Sequence, residues 1–394
     1  MKKIIIIIYI FSLFLLINIF SFGFIFFKTD INMYTDEFQE FKKRFSKNEK
    51  KIIYPHPYYG YGGYSLFSLK NNLGNNDEPI FFKIPKEINS DDIKILILGG
   101  SVATHLSLND SEDNFEINDQ TYDKHDIFEK TINQNFNTQR FKIYNAAIPG
   151  GKQPQQLFKL NYLLLNGYHF DYVINLDGFN EIALTTSENI PIKNNVIYPR
   201  QYSRQIKAFN KDISCIKKSN KSIKNSSIFP ILELNNLYNI YNCHKKIYGL
   251  KNDIDEDFSN LSKFKEENIQ IKMDKIVKLW TKSSHMIFDL SEIYKFKYIH
   301  ILQPNQYYRA SKIMTDDEKK VSNFKKYKIP IEKFYKNLKT DKLMINYKFD
   351  ARNVFLTNNE TLYRDYCCHL NNKGMFILSK EIIEEFKELF EEPF

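Results

Sequence analysis

The sequence predicts an α/β protein: a three-layer α/β/α sandwich around a parallel sheet, with one transmembrane helix at its N-terminus. Three observations carry this. Short apolar runs such as KILILGG end at glycine or proline and lack the alternation of a half-exposed strand, as buried parallel strands do. Segments with apolar residues at helical spacing separate those runs. A stretch without any charge, Ile4 to Phe27, follows Met1-Lys2-Lys3.

That first stretch, at about 1.5 Å per helical residue, is long enough to cross a hydrocarbon layer of about 30 Å. Lys2 and Lys3 favour a cytoplasmic N-terminus, which puts everything after Lys28 outside the cytoplasm. A cleaved signal peptide is the rival reading. Its apolar core is shorter, and Ser21-Phe22-Gly23 is a poor cleavage site. Residues 29–50 are polar, with Phe38, Phe41 and Phe45 at helical spacing, and read as a juxtamembrane stalk. The stretch YPHPYYGYGGYSLFSL begins an irregular N-terminal arm that continues to residue 92.

The core domain is expected over residues 93–394. KILILGG is its first strand, and residues 125–136 form a helix. FKIYNAAIPG is the second strand, QQLFKLNYLLLNGY a helix stopped at Gly167, and FDYVINLDGFNEI the third strand with a polar exit. Strand and helix alternating in this way predict an open, flavodoxin-like parallel sheet with helices on both faces. Residues 185–275, rich in Asn, Lys and Ser, break the rhythm and read as an insertion over the sheet, in the position of a lid. Order returns with the helix MDKIVKLWTKSSHMIFDLSEIYKF, the strand YIHILQP and a last helix from Asn372.

Composition narrows the function classes. The 394 residues carry a net charge of +9, but Lys is spread along the whole chain. No zinc-finger spacing, RNA-binding signature or Arg cluster is present, which argues against nucleic acid as a partner. LGGS lacks the glycine spacing of a phosphate-binding loop. Of the four cysteines, Cys215 and Cys243 are either a disulfide of an oxidising compartment or free thiols. Cys367 and Cys368 are adjacent and lack a second pair at zinc spacing, so no metal or cofactor is expected.

In open α/β sheets reactive groups gather past the carboxyl ends of the strands. Four polar positions fall there in order: Ser101 after KILILGG, Gly150 after FKIYNAAIP, Asn180 in DGFNE and His369 in DYCCHLNNKG. Each alone is an ordinary cap or turn residue. Their succession resembles the four blocks of the SGNH (GDSL-type) hydrolase superfamily. The resemblance covers roughly residues 93–390, outside the insertion. It implies Ser101 as nucleophile, His369 as base, and an oxyanion hole of the Ser101 and Gly150 N–H groups and the Asn180 amide. Gly151 is the alternative for the glycine.

Two features depart from the family pattern. Asp365 lies four residues before His369 rather than three, with Tyr366 at the usual position, so it is the least secure member of the triad. The serine block reads GGSVA, without Asp before Ser.

Gln303 and Asn305, in HILQPNQYY, sit at the same rim as candidates to hydrogen-bond a sugar or as turn residues around Pro304. His105 is a candidate second base that more readily packs away from the site. Asp177 and Glu181 flank the Asn180 turn and read as structural.

The expected function is that of an extracytoplasmic serine esterase or O-acyltransferase. It would act on acylated carbohydrate, with acetyl as the expected acyl group. A transferase would call for a membrane partner that supplies the acyl group. HPYYGYGGY and NNLG resemble the lead-in of bacterial members linked to surface-polysaccharide modification. The alternative is an inactive carbohydrate-binding or polysaccharide-assembly protein on the same fold.

Overall fold

The computed structural model describes residues 51–56, 59–65, 88–107, 115–117, 120–122, 127–191, 195–200, 202 and 266–391, with a few positions between 9 and 16. The chain divides into two compact units. One comprises Met1–Tyr54, Tyr64–Asp77 and Ser203–Glu256; the other comprises Pro55–Gly63, Glu78–Tyr202 and Asp257–Phe394. The first unit falls largely outside the described residues. So do most of the predicted anchor and stalk, the insertion from 203 to 265, and Cys215 and Cys243. Among the described residues no helix is long and apolar enough to cross a membrane.

The second unit is built on five strands: β1 (Ile93–Gly99), β2 (Phe141–Asn145), β3 (Tyr172–Asp177), β4 (Lys297–Leu302) and β5 (Tyr347–Asp350). Every neighbouring pair is parallel. The order β2-β1-β3-β4-β5 is the flavodoxin-like order. Ile95, Leu96, Ile97 and Leu98 are wholly buried, which is why β1 reads as an unbroken apolar run. β5 escapes a sequence reading because YKFD is short, mixed in character and only half-buried at the sheet edge.

The helices are α1 (Ser101–His105), α2 (Ile127–Asn135), α3 (Gln155–Leu165), α4 (Phe179–Leu184), α5 (Glu266–Tyr294), α6 (Asp316–Val321), α7 (Lys325–Phe334), α8 (Asn372–Glu385) and α9 (Lys387–Glu391). Right-handed crossovers put α2, between β1 and β2, on one face. They put α3 and α5, which step the other way across the sheet, on the opposite face. Packing follows that division, α8 against α2 and α5 against α3. α4 runs on as a π-helix, Thr185–Asn189, whose residues are all buried. The start of the predicted insertion therefore belongs to the packed domain.

The strand order reverses at β1, since the chain moves from β1 to β2 on one side and then to β3 on the other. A crevice opens at such a point beyond the carboxyl ends of the strands. Ser101 follows β1 there, and Asn180 follows β3.

Candidate active site

Ser101 is the first residue of α1, immediately after Gly99-Gly100. A Cβ on Gly100 would stand 2.3 Å from the Asn180 side-chain nitrogen. Only glycine lets the Asn180 amide lie against the backbone beside Ser101. Asn180 itself is placed by Gly178, whose φ of 120° turns the chain from β3 into α4. A Cβ on Gly178 would meet Leu302 at 2.3 Å.

His369 and Asp365 sit on a small hairpin ahead of α8. Its stem is an antiparallel bridge between Tyr363 and Leu370, with Arg364 N–H donating to the His369 carbonyl at 3.0 Å. At the tip, Asp365 Oδ1 accepts from the Cys367 N–H at 2.8 Å, an Asx-turn. Cys368 takes φ 63°, the left-handed region. That left-handed residue lies between Asp365 and His369. Asp365 Oδ2 stands 2.6 Å from His369 Nδ1, and His369 Nε2 stands 2.7 Å from Ser101 Oγ. Burial works to raise the Asp365 pKa. The His369 hydrogen bond and charge, with the N–H groups of Cys367 and His369, outweigh it and hold the carboxyl below its usual range. Ser101 and His369 are both half-buried, so the pair faces solvent.

The hairpin is held from below. Glu318 Oε1 accepts the N–H groups of Leu362 and Tyr363 at 2.8 and 3.0 Å. Its other oxygen pairs with Lys312 at 2.6 Å, both side chains wholly buried. Gln306 Nε2 donates to the Asp365 carbonyl at 2.7 Å, and the Tyr307 hydroxyl to the Tyr366 carbonyl at 2.8 Å. Gln303, expected at a sugar-binding rim, is buried and donates to Cys368 Sγ at 3.2 Å. Asn305 is buried too, and its Oδ1 accepts the N–H groups of Tyr307 and Tyr308, both at 3.0 Å. Gln303 thus braces the turn between Asp365 and His369, and Asn305 shapes its own loop through Tyr308. His105 is buried, its ring edge-on to that of His369 with centroids 5.0 Å apart. The Arg364 guanidinium lies 3.3 Å from His105 Nε2.

Of the two candidate glycines, Gly151 has its N–H committed to the Ile148 carbonyl at 2.6 Å, and its own carbonyl accepts from Asn180 Nδ2 at 2.8 Å. Gly150, at φ 74°, spends its N–H on no hydrogen bond among the described residues. An amide nitrogen carries two hydrogens, so Asn180 retains one beyond its bond to Gly151. The Ser101 N–H, at the first position of a helix, has no intrahelical acceptor.

Sequence reasoning passed over the polar network behind these groups. Asp177 Oδ1 accepts from Trp280 Nε1 at 2.7 Å and meets His300 Nε2 at 2.9 Å; Oδ2 accepts from Asn175 at 2.7 Å and from Gln153 at 3.1 Å. His300 Nδ1 reaches Ser284 Oγ at 2.7 Å. Asp177, His300 and Ser284 are all sealed from solvent, so this second Asp–His–Ser string braces the core. Burial opposes ionisation of Asp177, but the His300 charge and the His300, Trp280 and Asn175 hydrogen bonds hold its pKa below the usual range. Burial, then the Asp177 carboxylate, push the neighbouring Glu181 up to about 8, while the N–H groups of Gln153, Glu181 and Gly178 pull the other way. Glu181 stands at the third position of α4, and its Oε2 accepts the N–H of Gly178 at the N-cap at 2.8 Å.

No protein-family model matches the chain, and no curated protein does. Among solved structures it is similar to one described as a GDSL-like lipase from Parabacteroides merdae, at 10% identity and a TM-score of 0.33, over 76% of this chain and 98% of that one. It is also similar to the lipase/acylhydrolase from Enterococcus faecalis, at 12% identity and a TM-score of 0.32, over 75% and 96%. What the site can do therefore rests on its own geometry.

Proposed function

We propose that this chain is a serine esterase or O-acyltransferase working through an acyl-Ser101 intermediate. One observation carries the reading: the unbroken line Ser101 Oγ to His369 Nε2 at 2.7 Å and His369 Nδ1 to Asp365 Oδ2 at 2.6 Å. A serine hydroxyl is a weak nucleophile until a base takes its proton. His369 Nε2 is in hydrogen-bond reach to do so, and Asp365 fixes the tautomer that leaves Nε2 free to accept.

In the first half-reaction Ser101 Oγ bonds to the acyl carbon while its proton passes to His369. The carbonyl oxygen becomes an oxyanion, and its donors in this reading are the N–H groups of Ser101 and Gly150 and the Asn180 amide. The bond to the leaving alcohol then breaks, and His369 returns the proton to that oxygen. In the second half-reaction water or a sugar hydroxyl gives its proton to His369 and takes the acyl group, and the proton goes back to Ser101. Donors of this kind are worth about 2.7–4 kcal/mol each in the barrier.

The substrate class we propose is acylated carbohydrate, with acetyl as the acyl group and no nucleic acid involved. The HPYYGYGGY and NNLG stretches, which resemble the lead-in of bacterial members linked to surface-polysaccharide modification, support that class. The uncharged run from Ile4 to Phe27 behind Lys2 and Lys3 supports a membrane-anchored chain with this domain outside the cytoplasm. In the transferase form a membrane partner supplies the acyl group.

The test is covalent. Full-length protein in detergent is treated with a fluorophosphonate, and its peptides are weighed. An adduct on the Ser101 peptide, absent in Ser101→Ala and slowed in His369→Ala, is the expected result. A folded wild type that takes no label would overturn the reading. Release of p-nitrophenol from p-nitrophenyl acetate, with and without an oligosaccharide acceptor, then separates hydrolysis from transfer.

A further inference from the structure

Two chain segments carry the outer oxyanion donors: residues 150–153 after β2, and residues 177–181 after β3. They come from strands on opposite sides of β1, and no covalent feature holds them in register. Asn180 Nδ2 reaches the Gly151 carbonyl at 2.8 Å, but that bond uses one of the two hydrogens of the catalytic amide itself. Glu181 connects the two arms through their backbones, independently of that amide. Its Oε1 accepts the Gln153 N–H at 2.9 Å and its Oε2 accepts the Gly178 N–H at 2.8 Å. One carboxyl group thus takes a backbone donor from each arm. Asp177 holds the Gln153 side chain at 3.1 Å, so Gln153 is gripped through both backbone and side chain.

We infer that Glu181 is a positioning residue for acyl transfer, a strut that holds the Gly150 N–H and the Asn180 amide at one fixed separation. This rests on the esterase reading of the site. The chemistry explains the residue type. Two backbone N–H groups converge from different directions, and only a carboxyl group offers an acceptor oxygen to each at that reach. Glutamine has the same length but presents an NH2 group to one of the two donors. Aspartate keeps both oxygens but is a methylene short of spanning the gap. The residue is buried to 2% exposure, so the carboxyl is a costly choice for a position that needed only filling. Glu181 touches no reacting atom. It acts through the donors it spaces, and its effect belongs to the transition state, where the oxyanion forms.

The experiment compares wild type, Glu181→Gln, Glu181→Asp, Asn180→Ala and Asn180→Ala/Glu181→Gln as full-length proteins in detergent. Active sites are counted by fluorophosphonate adduct at Ser101, and p-nitrophenyl acetate turnover is expressed per titrated site. A residue that only stabilises the fold would lower the number of titratable sites and leave turnover per site unchanged. The expected result is kcat per site down about 10–100-fold in Glu181→Gln with KM within about twofold, and a smaller loss in Glu181→Asp. In the double variant the losses should fall well short of multiplying, because both act on one donor pair. Should Glu181→Gln not fold, Glu181→Asp carries the comparison alone. Wild-type turnover per site in either variant, or losses that multiply fully with Asn180→Ala, would overturn the inference while leaving Ser101 as nucleophile. A wild type without label at Ser101 would overturn the esterase reading and the inference with it.

Discussion

Asp365 and His369 are four residues apart in the chain and 2.6 Å apart at Oδ2 and Nδ1, a contact made through Cys368 at φ 63°. A β-branched residue in the left-handed region is disfavoured by about 1–2 kcal/mol, whereas glycine adopts it freely. Cys368→Gly is expected to keep acid and base aligned, with kcat within about threefold of wild type. Cys368→Val should pull the turn open and lower kcat about tenfold or more, at the same titratable Ser101 content. Equal kcat in the two variants would show that the left-handed turn does not set the alignment.

The carboxyl group of Asp365 makes two contributions, since Oδ2 meets the imidazole and Oδ1 ties down the Cys367 N–H. Asp365→Asn keeps the size but removes the acceptor pair that selects the His369 tautomer. Turnover should fall about 10²–10⁴-fold, the range for losing general-base function. Binding of a substrate analogue should change little, because the acid lies behind the base. Steady-state kinetics alongside isothermal titration with a non-hydrolysed analogue would separate the two quantities, and undiminished kcat would refute a triad.

Gly100 and Asn180 are coupled by contact, since a Cβ at 100 would intrude to 2.3 Å from the Asn180 nitrogen. Asn180→Ala should cost about 10²–10³-fold in kcat, as loss of one oxyanion donor does. Gly100→Ala should cost a comparable amount by displacing the same amide. The double variant should be no worse than either single variant, since the donor is lost only once. Multiplying losses would mean that Gly100 acts on something other than Asn180.

Much of this architecture was legible in the sequence because its signals are local. β1, β3 and β4 are buried on both faces, so their apolar runs announce them. α3, α5 and α8 show their inward stripes. The order Ser101, Gly150, Asn180, His369 was readable because a parallel sheet delivers successive strand ends to one rim. What was not legible depends on contacts between distant segments. β5 lacks an apolar run because it is an edge strand. Asp365 looked misplaced because φ at Cys368 is invisible in a string of letters. Gln303 and Asn305 pattern as rim residues, yet the chain folds their side chains inward to hold the Cys368 turn and the Asn305–Tyr308 loop. Glu181 reads as structural beside the Asn180 turn, but its partner Gln153 is 28 positions away and appears only when β2 and β3 flank β1.

Lys159, on α3, is wholly buried, with its ammonium 5.1 Å from the centre of the Tyr59 ring. Desolvation lowers its pKa to about 7 in the folded chain, against about 10.4 when unfolded. Between those two values the unfolded chain holds a proton that the folded chain lacks, so stability rises with pH across that window. Below about 7 the folded chain must keep a charge in the core, and the penalty is fully developed. Lys152, lowered to about 8 by burial against the pull of Glu181 and Glu188, adds a smaller rise of the same sign above pH 8. Lys159→Met removes the larger of the two. The variant should melt several degrees higher than wild type at pH 6, with the gap shrinking steadily towards pH 10. Thermal melts in matched buffers at constant ionic strength would show this. A gap that stays constant with pH would mean that Lys159 is not neutralised on folding, whatever its burial.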